Sequence, residues 1–276
     1  MDSILAKKDF SPKTAKVYAS IIRRLQKLKF KMPIKKSEKL EYIQTFFRDN
    51  ELTKASTRLD LLNLVIVLRT IEELPTDKLK DYRRELANER VSKNVVKMQD
   101  LKDDLMPIGE YRAGLMKAFE KEEYKKFIVG YLMLTYGVRN MDTDVEIVKD
   151  KKDMTDDKQN YLILKPSKVT WVRNHYKTVK TFGVQTHVIT DPEFIKSVKA
   201  HGVGRIFAEG QMNNQMKKLL INKMNEARVF KMVIDELYDN KDTEGINRMS
   251  KSRGTSINTI KSFYNVNAEE NIIRDL

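Results

Sequence analysis

Four separated groups of residues carry the side chains with which this chain could do chemistry. The first is Tyr136-Gly137-Val138-Arg139-Asn140-Met141-Asp142, which sets an arginine where an apolar run gives way to polar sequence. The second runs Arg173-Asn174-His175-Tyr176-Lys177-Thr178, then Lys180 and Phe182-Gly183. The third is Asn225-Glu226-Ala227-Arg228, and the fourth is Gly254-Thr255-Ser256-Ile257-Asn258-Thr259 with Tyr264 ten residues after the glycine. Arginines stay charged at any working pH and present forked donors to a phosphate oxygen pair. The chain has no cysteine, which excludes disulfide scaffolds, cysteine-ligated metals and thiol nucleophiles. Its three histidines, His175, His187 and His201, show no metal-ligand spacing, and no carboxylate cluster or P-loop is present, so no metal or cofactor is expected.

The same residues also have plain structural uses. Tyr264 fits a packing aromatic, Arg139 fits a cation at a helix C-terminus, Arg228 fits a solvated helix position, and Lys177 fits a solvated hairpin lysine. Their context has to decide between these uses and chemistry.

Charge narrows the partner. The 276 residues carry 53 Lys+Arg against 39 Asp+Glu, a formal charge of +14, and 41% are hydrophobic, enough for packed cores. The excess is concentrated: residues 1–50 hold 13 basic and 5 acidic side chains, or +8, whereas residues 51–100 hold 10 and 9, or +1. A basic opening segment on a milder body points to a polyanion, most simply nucleic acid, with a lysine-rich soluble protein as the bland alternative. The longest uncharged apolar stretch, Phe127 to Val138, falls well short of the roughly 20 residues of a membrane span, and MDSILAKKDF has no signal-peptide core. The expectation is an intracellular, soluble chain.

The elements that must position these groups follow from periodicity. Ser11-Pro12 opens a helix in which Val17, Tyr18, Ile21, Ile22, Leu25 and Leu28 recur at three-to-four spacing, opposite Lys13, Lys16, Arg23, Arg24 and Lys27. Further helices are predicted over about Glu38 to Phe47 and Ser56 to Leu74, and residues 77–100 read as a charged helix leading into a linker. The domain boundary is expected near residues 100–107, giving domains 1–102 and 103–276. The second part begins with two helices between Glu110 and Tyr136. It continues with strand-like runs at Val145 to Val148, Tyr161 to Leu164, Val169 to His175 and Gly183 to Ile189. Helices return from about Asp191, with Asn213 to Leu237 expected as the longest. The predicted class is mainly α with a small antiparallel β-sheet.

The four groups, in this order, resemble the tyrosine recombinase (phage-integrase) family. Gly137-Val138-Arg139 with Asp142 is similar to its Gly-Leu-Arg box with an acidic residue three positions on. Asn225 to Arg228 is similar to its His-x-x-Arg box, and Gly254 to Tyr264 to the segment that ends in its nucleophilic tyrosine. Ser11-Pro12-Lys13-Thr14 with Tyr18 looks like the opening helix of the family's core-binding domain. The Tyr-Lys-Thr and Phe-Gly hairpin looks most like integrases of large eukaryotic DNA viruses and related mobile elements. The resemblance spans nearly the whole chain.

What the resemblance implies is a site-specific recombinase that cleaves and rejoins duplex DNA through a 3′-phosphotyrosine, without ATP or metal. Tyr264 would be the nucleophile, Arg139 and Arg228 the phosphate clamp, and Lys177 the leading general acid, with Lys180 and Lys168 as alternatives. Asp142 would orient Arg139 through an ion pair. Lys13, Lys16, Arg23, Arg24 and Lys27 would touch DNA phosphates. Family members act as homotetramers on two synapsed sites, with monomers or dimers free in solution, and exchange a C-terminal segment; Ile272, Ile273 and Leu276 would do so here. Two positions depart from the family: Asn225 and Thr255 stand where it has a histidine and a histidine or tryptophan, and neither shuttles protons near neutral pH. His175 or His201 would have to substitute. A catalytically weakened DNA-binding relative is therefore one alternative reading, and a type IB-like topoisomerase, which uses the same tyrosine chemistry, is the other.

Overall fold

Apolar residues at helical spacing bury three helices against one another in the first part of the chain. The computed structural model describes residue 10 and residues 12–30, 40–102 and 105–265; the side chains of Lys13 and of residues 94–102, with Ser11, Ile272, Ile273 and Leu276, lie outside the described residues. Helix α1 (Pro12–Lys27) turns Ile22 and Leu25 inward, and α2 (Leu40–Asp49) contributes Ile43, Phe46 and Phe47. Helix α3 (Ala55–Ile71) is buried on several sides, with Leu59, Leu61, Leu62, Leu64, Val65, Ile66 and Leu68 in the core. Among its described side chains, helix α4 (Asp77–Lys102) buries Leu79 and Leu86 in that core and packs Tyr82 and Ala87 against it. It is also tied by Glu89, which accepts from Arg58 at 2.6 Å. On α1 the side chains of Lys16, Arg23, Arg24 and Lys27 are exposed, so burial leaves the basic stripe in water.

The chain divides into two compact units at Asn94 and Val95, inside α4. The second unit begins with α5 (Ile108–Glu120) and α6 (Tyr124–Tyr136). From Phe127 onward helix α6 is apolar on most sides, and it buries Phe127, Ile128, Val129, Leu132 and Met133. Then come β1 (Val145–Val148), β2 (Asn160–Leu164), β3 (Val169–Arg173), the single-turn α7 (Val179–Phe182) and β4 (Gln185–Ile189). After α8 (Pro192–His201) the two-residue β5 (Gly204–Arg205) completes a five-stranded sheet in the order β4-β3-β2-β1-β5. The expected class holds, mainly α with one small sheet. The sheet is mixed, though: β1 and β2 run parallel, and the other three pairings are antiparallel. Leu162 and Trp171 lie in the helical core, and Tyr161 and Val172 in a small cluster on the other face.

The helix expected over Asn213 to Leu237 is broken. Helix α9 (Met212–Leu219) stops at Leu220, and Asn222 and Lys223 take positive φ of 47° and 62°, which a continuous helix forbids. Helix α10 (Glu226–Asp239) then starts afresh, because the Asn225 side chain accepts the Arg228 backbone N–H and caps it. Arg228 is therefore a first-turn residue. Helices α11 (Thr243–Arg253) and α12 (Ile257–Phe263) end the described chain.

Candidate active site

The C-terminal end of α11 collects the residues of interest. The last carbonyls of a helix have no partners within it. Here four successive ones each accept from a different side chain: Lys251 from Gln185 at 2.9 Å, Ser252 from Arg173 at 2.5 Å, Arg253 from Arg139 at 2.6 Å and Gly254 from Thr178 at 3.0 Å. Two of the four donors are guanidinium groups, whose charge suits the negative end of a helix. Gly254 closes the helix in the left-handed conformation, φ 62°, and a side chain there would collide with the Thr178 hydroxyl. The glycine is what lets the hairpin approach the helix end.

Arg139 reaches this point because Gly137 ends α6 with φ 60°; a Cβ at Gly137 would lie 2.7 Å from the Phe230 ring. The Arg139 backbone N–H donates to Asp142 Oδ2 at 2.9 Å, while the Asp142 carboxylate pairs with Arg173 at 2.8 Å, both side chains fully buried. The expected Asp142–Arg139 ion pair is thus replaced by a backbone cap, since Arg173 takes the carboxylate and the Arg139 guanidinium turns to the Arg253 carbonyl. Burial pushes the Asp142 carboxyl up from its ordinary value, against the pull of Arg173. Burial, reinforced by the charge of Arg253, lowers Arg139.

Tyr264 follows α12, and its ring meets Phe230 edge-on at 4.7 Å. Its hydroxyl lies 3.4 Å from Nη2 of Arg253, and its phenol is within electrostatic reach of Arg139. Arg253 is 1% exposed. It also donates to the Gly137 carbonyl at 2.6 Å and to Glu226 at 2.9 Å, and Glu226 accepts the Asn140 N–H as well. The residues that follow α6, the start of α10 and the end of α12 therefore meet at one side chain.

The remaining expected residues stand apart from this network. Arg228 is exposed, and its guanidinium makes no hydrogen bond among the described contacts. Lys177 and Lys180 are exposed on the segment between β3 and β4. Lys177 is nevertheless flanked by anchored neighbours, since Tyr176 donates to the Gly183 carbonyl at 2.6 Å and Thr178 holds Gly254. Thr255 sits in the turn after Gly254, where its carbonyl accepts from Ser250 at 2.6 Å. The His175 ring is exposed, and His201 Nδ1 lies 3.1 Å from the Gly202 carbonyl; among the described contacts neither touches Tyr264. No group of three acidic or histidine side chains among the described residues could hold a metal ion.

Arg173, Arg253 and Glu226 were missed as site residues, yet two carried a signal. Val169, Trp171 and Arg173 alternate onto one buried strand face, and Ile246, Ser250 and Arg253 recur at four and three along one buried stripe of α11. An arginine on an otherwise buried stripe marks a charge the fold must pair. Glu226 has no such signal.

No family model matches this chain, and no curated protein matches it. Among solved structures, the crystal structure of XerA recombinase aligns with a TM-score of 0.37 and 12% identity, covering 96% of this chain and 92% of that one. A likeness this low carries no argument for fold or function.

Proposed function

We propose that the chain is a DNA strand-cleaving and rejoining enzyme, a site-specific recombinase or integrase. The observation that carries this reading is the convergence of Arg139 and Tyr264, far apart in sequence, on one residue: Arg139 binds the Arg253 carbonyl at 2.6 Å and the Arg253 guanidinium lies 3.4 Å from the Tyr264 hydroxyl. Tyr264 Oη would form a bond to a backbone phosphorus as the bond from phosphorus to the 5′-oxygen breaks. The phenolic proton passes to solvent, and Lys177 delivers a proton to the leaving oxygen. Arg139, with one guanidinium nitrogen engaged, and Arg228, whose guanidinium is exposed, would hold the nonbridging oxygens. The phosphotyrosine keeps the bond energy, so rejoining is the reverse attack and needs no nucleotide or metal. The exposed stripe of Lys16, Arg23, Arg24 and Lys27, with Lys13, would bind DNA phosphates, and the working form would be a homotetramer on two synapsed sites. In this reading residues 1–102 serve as the core-binding part and 103–276 as the catalytic part.

One observation favours a second reading, a DNA-binding relative with weakened catalysis. Asn225 spends its side-chain oxygen on capping α10, and no proton-shuttling side chain touches Tyr264 among the described contacts. Incubation with a nicked suicide duplex decides between them: the enzyme should form a covalent protein–DNA adduct that Tyr264→Phe abolishes while binding persists. No adduct on any DNA pool would overturn the enzymatic reading. Where an adduct forms, a supercoiled plasmid separates exchange between defined sites from relaxation without site preference, the signature of a topoisomerase.

A further inference from the structure

We propose that Arg253 is the positioning residue for Tyr264, holding the tyrosine hydroxyl against the site on a brace of Glu226 and the Gly137 carbonyl. The inference rests on the reading of Tyr264 as a nucleophile, and it assigns to this chain a group that none of the four sequence boxes contains.

The guanidinium stands 4.1 Å from the Phe230 ring centroid and 5.1 Å from that of Tyr264. With the edge-on contact between those rings, this makes a triangle that leaves the phenol little freedom to swing. Two of the guanidinium nitrogens do the bracing. Nη1 donates to the Gly137 carbonyl; Nη2 donates to Glu226 Oε1 and faces the Tyr264 hydroxyl at 3.4 Å. Glu226 is itself anchored, since its second oxygen accepts the Asn140 N–H, one residue after Arg139. The Nε–H of Arg253 is buried without a hydrogen-bond partner, as is that of Arg173.

Nη2 reaches past its carboxylate to a tyrosine oxygen, at a distance that can shorten when charge develops there. Because Arg139 holds the carbonyl of the same residue, any movement of Arg253 shifts the phosphate ligand and the nucleophile together. Arg253 thereby couples the two. It supplies fixed geometry and positive charge to Tyr264 in a chain that has Asn225 and Thr255 where a proton shuttle was expected.

The test uses the full chain. Arg253→Lys keeps the charge but cannot reach all three partners at once, so adduct formation on the suicide duplex should slow by about a hundredfold, the scale of a nucleophile displaced by about 1 Å, with DNA affinity retained. Guanidinium ion should restore part of the rate to Arg253→Ala without raising its melting temperature, which a purely structural brace would not do. Independently of DNA, 3-fluorotyrosine placed at position 264 should change its fluorine resonance in Arg253→Lys. Cleavage by Arg253→Lys at the wild-type rate, or an unmoved resonance, overturns the proposal. If the wild-type chain makes no adduct, the recombinase reading falls while the resonance still decides the positioning. Should Arg253→Lys fail to fold, Glu226→Gln takes its place, and an unmoved resonance there overturns the proposal equally.

Discussion

The end of α11 and the outer face of α1 are both arginine-rich, and they use the charge in opposite ways. On α1, Arg23 and Arg24 stand in water with their charges hydrated, so they cost little and steady nothing in the fold. At α11, Arg173 and Arg253 are 0% and 1% exposed, and each must be matched by a carboxylate and by carbonyls. A guanidinium cannot discard its charge when buried, so the fold around it becomes specific. His187 shows the other outcome. It lies on β4 close to Arg173, and burial together with that charge lowers its pKa to about 4, so the imidazole stays neutral. One region therefore leaves its charges in water, and the other holds a few groups in one geometry.

The contrast between the two regions is most exposed to failure at Arg173. Arg173→Met leaves Asp142 charged and buried without its partner and should cost about 3–5 kcal/mol in urea unfolding. A loss below about 1 kcal/mol would mean that the buried cluster is not the rigid half of the contrast. Next in size is the pH response of His187. Its folded pKa is depressed from 6.5 to about 4, so the unfolded chain binds the extra proton between these values. Stability is then complete above pH 6.5 and falls as the pH drops towards 4, by at most about 1.4 kcal/mol per pH unit and less where water reaches the ring. Chemical denaturation across that range should show the limb flattened in His187→Phe; an unchanged limb assigns it to other groups. The smallest effect on the fold belongs to α1. Arg23→Ala with Arg24→Ala should leave stability within about 0.5 kcal/mol. The same pair should make the salt slope of DNA binding shallower by about 0.9 for each phosphate these arginines neutralise. An unchanged slope would remove that face from the DNA interface.

Much of the fold was legible because local pattern and tertiary burial agree. The four main strands and most helices fall within a few residues of their periodic signals, since each apolar stripe has one face to hide. The break at Asn222 and Lys223 was not legible: Met216, Leu220 and Met224 recur every four residues across it, and only the left-handed backbone reveals the stop. The choice of a parallel β1–β2 pairing was equally hidden, because β-branched runs look the same in either direction.

For the candidate site, the sequence alone supplied Arg139, Asp142, Gly254 and Tyr264 as residues worth watching, and it located the basic stripe on α1, because residue type, spacing and helical period are local properties. Which donors meet at the α11 carbonyls, that Asp142 pairs with Arg173 instead of the Arg139 guanidinium, and that Arg253 stands beneath Tyr264 were decided by tertiary structure. A buried charge takes whichever partner the packing brings within hydrogen-bond distance, and those partners come from strand β3, the start of helix α10 and a turn more than a hundred residues away. No pattern along the chain encodes that meeting.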